Sequence, residues 1–296
     1  MRSARMPAFA KVNLGLHILG KRPDGYHELR TVFQTISLHD TLTFRLTRRP
    51  GIAIETNDPA LPVGRENLVW RAVDALRREL RIRSGVRVEL WKRIPVARGL
   101  GGGSSDAAAA LLGLLRLTGR KLPTGRLVEL AASLGADVPF FLFGGRALGV
   151  GRGAEVYPLP DLPARAVVVV SPRDIAVSTH QAYGWAGRRL TKRNPAPRLW
   201  SFCALCWSTQ GEGASNDFEA VVFPRHPRLA RLKRGLLERG AAEAALAGSG
   251  SAVFGVFRSP AQARRAAAGF PNEQVFVCET LSREEYRRAQ RGRGGI

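Results

Sequence analysis

Between residues 9 and 19 the chain reads FAKVNLGLHIL, in which Val12, Leu14, Leu16 and Ile18 alternate with Lys11, Asn13, Gly15 and His17. A period of two predicts a strand with one buried face. Lys11 and Asn13 then share the other, open face, about 7 Å apart along the strand. Pro-Asp-Gly at 23–25 is a turn signal. Further strands are predicted at 41–46, 51–56 and 85–95. In the last of these Val86, Val88 and Leu90 share a face. Residues 66–80 carry Leu68, Ala72, Ala75, Leu76 and Leu80 at helical spacing. A second helix is expected over 124–135, with Thr124 as its cap and Gly135 as its stop.

The pattern restarts after a proline-rich stretch at 156–163. AVVVV at 166–170 reads as a strand buried on both faces. A helix opens near 177, capped by Ser178 or Thr179. A helix over 228–239, a strand pair within 244–257, a helix over 260–269 and a strand at 274–279 follow. The pattern does not resolve 188–214. The expected division is therefore an N-terminal domain, 1–160, and a C-terminal domain, 161–296.

One junction carries chemistry. PVARGLGGGSSDAAAALLGL, residues 95–114, runs glycine and serine into an alanine-rich helix former. A helix N-terminus has unpaired N–H groups and partial positive charge, and glycines let a ligand approach the backbone. The pattern predicts a phosphate site, in which Ser104 or Ser105 can also ligate a magnesium ion carried by that phosphate. It is not a Walker A loop, because no lysine follows the glycines. It is not a dinucleotide fingerprint either, because Glu129 falls within a helix.

Composition changes this picture little. The 296 residues carry a formal net charge of +22. That charge suits nucleic acid or anionic substrates. No helix-turn-helix, zinc-finger spacing or aromatic RNA-binding ribbon accompanies it. No specific nucleic-acid partner is expected. The basic tail REEYRRAQRGRGG, 283–295, is expected to be mobile. Cys203 and Cys206 form a lone C-x-x-C without further ligands, read as incidental thiols. No apolar run is long enough for a membrane span and no secretory signal is visible, so a cytoplasmic protein is expected, as monomer or homodimer.

PVARGLGGGSSDAAAAL resembles the second motif of the GHMP small-molecule kinases. Three further stretches carry the resemblance: PAFAKVNLGLHILGKRPDGYHEL (7–29), LGADVPFFL (134–142) and LAGSGSAVFGVF (246–257), with NDFE at 216–219. The resemblance implies an α+β, two-domain fold: an N-terminal domain like ribosomal protein S5 domain 2 and a ferredoxin-like C-terminal domain. It implies ATP and Mg2+ as cofactors. The DGYHEL segment points to the branch that phosphorylates a hydroxyl of a cytidyl diphosphate substrate in isoprenoid biosynthesis. The alternatives are a kinase of the mevalonate or homoserine type, or a basic nucleic-acid-binding protein on an inactive kinase fold.

The resemblance also implies roles. Asp137 takes the proton of the acceptor hydroxyl and Lys11 stabilises the developing charge. On the residues alone, Asp137 reads first as a solvated loop aspartate, and Lys11 has the alternative of an exposed strand lysine. Asn13 binds the substrate, Tyr26 stacks on its cytosine, His27 hydrogen-bonds it and Tyr183 covers the other face. ATP is held by Pro95, Val96, Ala97, Arg98, Gly99, Leu100, Gly101, Gly102, Gly103, Ser104 and Ser105, with Asn67, Leu68 and Lys92 around the adenine. Ser105 is the metal candidate. Arg98 departs from the small residue usual there, and either touches phosphate or points outward.

Overall fold

The computed structural model describes residues 3–191, 200, 202–204, 206 and 214–291. Most of the unread 188–214 segment lies outside them. Two long strands, β1 (Ser3–Lys21) and β2 (His27–Thr47), form a hairpin around the Pro-Asp-Gly turn, with Gly25 at φ 83°. The predicted 41–46 strand is thus the last third of β2. The far half of β2 pairs with β4 (Gly85–Trp91), and β4 pairs in parallel with β3 (Ile52–Thr56). The near half of β2 pairs with β5 (Arg146–Gly151), which pairs with β6 (Glu155–Pro158).

Helices α1 (Leu68–Glu79) and α2 (Gly102–Thr118) lie against this sheet, α3 (Thr124–Leu134) packs on both, and a short α4 (Phe140–Phe143) falls between α3 and β5. Asn67 caps α1, its side chain accepting from the Val69 N–H at 2.8 Å. Thr124 does not cap α3: it is the first helical residue, after Pro123, whose fixed φ suits a helix start. Gly135 closes α3 as expected. The alanine run of α2 is buried throughout. Small volume matters there as much as helix propensity: a Cβ on Gly113 would come within 2.5 Å of the Phe44 ring.

The second sheet has the order β11-β7-β10-β9, all neighbours antiparallel. Its strands are β7 (Ala166–Ser171), β9 (Glu243–Leu246), β10 (Val253–Phe257) and β11 (Gln274–Glu279). Helices α5 (Thr179–Thr191), α6 (Glu219–Val222) and α7 (Pro227–Glu238) fall between β7 and β9, and α8 (Pro260–Ala267) between β10 and β11. Long helices between the first and second strands and between the third and fourth make this the ferredoxin-like order. Ser178 caps α5 reciprocally: Gln181 N–H donates to its hydroxyl, and its own N–H donates to Gln181 Oε1.

The two halves are not separate beads. The segment 160/161 falls between β6 and β7, but a two-residue β8 (Ser215–Asn216) pairs with β1. The tail also returns. Residues expected to be mobile form α9 (Arg283–Arg291), whose Tyr286 is buried against Phe9 and Gly144 and donates its hydroxyl to the Phe141 carbonyl at 2.5 Å. Tyr286→Phe should therefore cost about 1 kcal/mol, since one buried carbonyl loses its partner while packing is kept. A melt against denaturant reads this directly; no loss would mean that the hydrogen bond is not stabilising.

The open face predicted for β1 is closed. A bulge between Phe9 and Lys11 reverses the parity of the strand. Ala4, Met6 and Ala8 face the helices, whereas Ala10, Val12 and Leu14 face the second sheet. Lys11 and Asn13 still share one side, but that side is buried too.

Candidate active site

A cleft of about 1410 Å³ runs between the two halves. From the N-terminal half it is lined by Lys11, Asn13, the 95–104 loop and Asp137. From the C-terminal half it is lined by Thr179, Tyr183, Gly248 and Ser249.

Lys11 is only 3% exposed. Its ammonium donates to Asn13 Oδ1 at 2.8 Å, lies 3.7 Å from Asp137 Oδ2 and sits over the Phe33 ring. An ammonium can be buried there because it is paired, not because it reaches out of the sheet. Asn13 is anchored through both atoms of its amide. Its Oδ1 also accepts from the Gly248 N–H at 3.0 Å, and its Nδ2 donates to Thr31 Oγ1 at 2.7 Å. It orients Lys11 and ties β1 to the β9–β10 turn. Asp137 follows the α3 stop and keeps a partly open carboxylate.

Burial lowers the Lys11 ammonium from its ordinary value, and the Asp137 carboxylate opposes that shift. The sign follows. Charging Lys11 costs the folded state free energy below its folded value, and that cost is relieved as pH rises toward the unfolded value. Asp137→Asn removes the opposing charge, so the Lys11 proton should leave at still lower pH. Nitrogen-15 titration of the lysine ammonium checks this; an unchanged midpoint would uncouple the two groups.

The glycine loop is built by close approach. Gly99 and Gly101 have φ of 77° and 72°. A Cβ on Gly99 would lie 1.8 Å from the Ala247 carbonyl oxygen, and one on Gly101 would meet Phe141 and Lys11. The Lys11 N–H donates to the Leu100 carbonyl at 3.0 Å. Gly101 is the N-cap of α2 and gives no side-chain cap, so the first-turn amides of α2 face the cleft unsatisfied by protein side chains. A phosphate fits such an end. Gly103 lines the cleft, and a Cβ there would find its nearest atom 3.7 Å away.

Several expected ligands have other surroundings than the sequence suggests. Ser105 Oγ is buried without a partner and does not line the cleft, whereas Ser104 does, so the metal candidate faces the wrong way. No cluster of three metal-binding side chains occurs among the described residues. Asn67 spends its side chain on capping α1 and on the Pro62 carbonyl. The Lys92 ammonium is held by Asp40 and Asp106. Burial pushes the Asp106 carboxyl up from its ordinary value, with Lys92 opposing and Asp40 adding to the shift. Arg98 lines the cleft: its Nη2 donates to the Arg173 carbonyl at 3.0 Å, its Nη1 is buried without a protein partner, and its own carbonyl accepts from Ala252.

At the far end, Tyr26 is 56% exposed, with the Arg152 guanidinium 4.2 Å from its ring centre. His27 stacks on Tyr183 at 4.7 Å and 17°. The aromatic residues expected around a base share the cleft, with the Tyr183 ring stacked on His27 and the Tyr26 ring against Arg152. Burial, with Lys21 adding, lowers the His27 imidazole from its ordinary value, favouring the neutral ring. Sequence reasoning missed Arg152, Thr179 and Ser249. Arg152 had no signal beyond its place in a tight hairpin. Asn216 was quoted only within a motif, yet it holds the β9–β10 turn by donating to the Leu246 and Gly248 carbonyls.

Comparison with known proteins adds the following. A family model for the GHMP kinases N terminal domain matches residues 67–145, and one for the GHMP kinases C terminal matches 199–275. The 4-diphosphocytidyl-2-C-methyl-D-erythritol kinase of Solibacter usitatus is 48% identical over 97% of this chain and 91% of that protein. A crystal structure of 4-(cytidine 5'-diphospho)-2C-methyl-D-erythritol kinase superposes with a TM-score of 0.79 at 36% identity, covering 93% of this chain and 98% of the other. Homoserine kinase from Cytophaga hutchinsonii shares the fold, with a TM-score of 0.77 at 21% identity over 95% of each chain.

Proposed function

The chain belongs to the GHMP kinases, and from that premise we infer that it transfers the γ-phosphoryl group of ATP to the 2-hydroxyl of 4-diphosphocytidyl-2-C-methyl-D-erythritol, a step of non-mevalonate isoprenoid synthesis. The observation that carries the mechanism is the Lys11–Asn13–Asp137 group set in one cleft with the uncapped N-terminus of α2. The acceptor oxygen attacks the γ-phosphorus, the bond from that phosphorus to the bridging oxygen breaks, and ADP leaves. Asp137, partly open and beside the cleft, takes the hydroxyl proton. Lys11, held by Asn13, neutralises charge on the transferred group. The amides of Gly102, Gly103 and Ser104 cradle the phosphates.

Magnesium is the counter-ion that ATP brings with it. The residues present do not build a protein cage for it, so no step is routed through it. Tyr26, His27 and Tyr183 receive the cytosine. Either His27 leaves Tyr183 or the base stacks on the free face of Tyr26.

ADP release from purified protein given ATP, magnesium and the cytidyl substrate tests the reading; no turnover overturns it. Tyr26→Ala should raise KM for the cytidyl substrate about tenfold, within the ~1–3 kcal/mol of a base stack, and leave KM for ATP unchanged. Equal turnover of mevalonate or homoserine would overturn the choice of acceptor.

A further inference from the structure

Lys92 follows the last residue of β4 and leads into the phosphate loop. Its ammonium lies between Asp40 of β2 and Asp106 of α2, the latter contact at 2.7 Å. All three side chains are at most 6% exposed. Asp40 does more than pair: its Oδ1 accepts from the Arg93 and Ile94 N–H groups at 2.5 and 2.9 Å, fixing the strand that enters the loop. Asp106 lies in the second turn of α2, directly behind the amides that face the cleft. Its Oδ1 is buried without a partner, so its carboxylate is oriented by Lys92. A Cβ on Gly102 would come within 3.3 Å of the Lys92 nitrogen, so the ammonium sits against the glycine turn itself. Elsewhere α2 is packed by apolar side chains: Val69, Ala72, Val73 and Leu76 of α1, Ala131 of α3, and Phe140 and Phe141 of α4. Those contacts fix the helix axis. The ion triad adds a charged tie between the second turn of α2 and the residue that follows β4.

We propose that Asp106 is a positioning residue for nucleotide binding: through Lys92 and Asp40 it holds the start of α2 at the spacing from β4 that the nucleotide phosphates require. The inference rests on the kinase reading above. Lys92 then serves ATP through its two carboxylates rather than by donating its ammonium to the nucleotide. A buried cation shared by groups from three elements is suited to this, because losing one partner leaves charge uncompensated and shifts the others.

The test uses Asp106→Ala and Asp106→Asn in the full chain, with ADP affinity measured by calorimetry and steady-state kinetics alongside, well below the melting temperature of each variant. Asp106→Ala is expected to weaken ADP and raise KM for ATP about tenfold, while kcat and KM for the cytidyl substrate stay within twofold. Asp106→Asn, whose amide oxygen still accepts from Lys92, should recover ADP affinity to within threefold of wild type. If Asp106→Ala is not recovered folded, Asp106→Ser, too short to reach Lys92, decides by the same readout. Unchanged ADP affinity in the short variants overturns the proposal, as does a fall in kcat with KM for ATP unmoved, or failure of Asp106→Asn to recover. Wild type that binds ADP but turns over no cytidyl substrate would fail the acceptor reading alone, since the triad is judged on ADP.

Discussion

Asp137→Asn is expected to lower kcat about 10²–10⁴-fold, the usual contribution of a positioned general base. KM for ATP should stay within a few-fold, because the phosphate loop is built from backbone and does not contact this carboxylate. The substitution keeps volume and removes two things together. The acceptor hydroxyl loses the group that takes its proton, and Lys11 loses the carboxylate 3.7 Å away that offsets its burial. Lys11 keeps Asn13, so the site should remain assembled. The check is kcat and KM for both substrates, with thermal unfolding as a control for folding. A rate within threefold of wild type would remove Asp137 from the role of base.

Gly99→Ala should be the most damaging single methyl in the loop. The new carbon would sit 1.8 Å from the Ala247 carbonyl oxygen, which is backbone and cannot swing aside. The residue also holds φ at 77°, a left-handed conformation that costs an L-residue about 1–2 kcal/mol. The loop must part from the β9–β10 turn, one of the contacts joining the phosphate site to the C-terminal half. A fall in melting temperature together with more than tenfold weaker ADP binding is expected. Gly103→Ala supplies the contrast. Its Cβ meets nothing closer than 3.7 Å, it has no positive φ, and it lies inside a helix, where alanine is better than glycine by about 0.5–1 kcal/mol. It should raise stability and still weaken ADP, because the space it fills is in the cleft. If Gly103→Ala binds ADP as well as wild type, phosphate does not sit at the first turn of α2.

The local elements were legible because their signals are local. Alternation marked β1 and β4, helical spacing marked α1, and the change from glycine to alanine marked the start of α2. The two-residue spacing put Lys11 and Asn13 on one side of a strand, and they are hydrogen-bonded there. The four stretches resembling a kinase family fixed the fold class before any coordinate did, and the comparisons bear it out.

Other features were decided by partners distant in the chain. The open face of β1 is buried because Phe33, the glycine loop and the β9–β10 turn close on Lys11 and Asn13, and nothing in residues 9–19 records that. Lys92 reads as one more strand-end lysine until Asp40 and Asp106, 52 and 14 residues away, are brought to its ammonium. Arg98 reads as pointing either way until the loop after β7 presents the Arg173 carbonyl to one of its guanidinium nitrogens. The basic tail looks mobile until Tyr286 finds a pocket beside α4. By itself the sequence determined which residues carry charge, flexibility and strand or helix period, since these are properties of the residue and its near neighbours. Only the tertiary structure decided which charges are spent on each other and which are left facing the cleft, because burial and pairing depend on what the rest of the chain brings there.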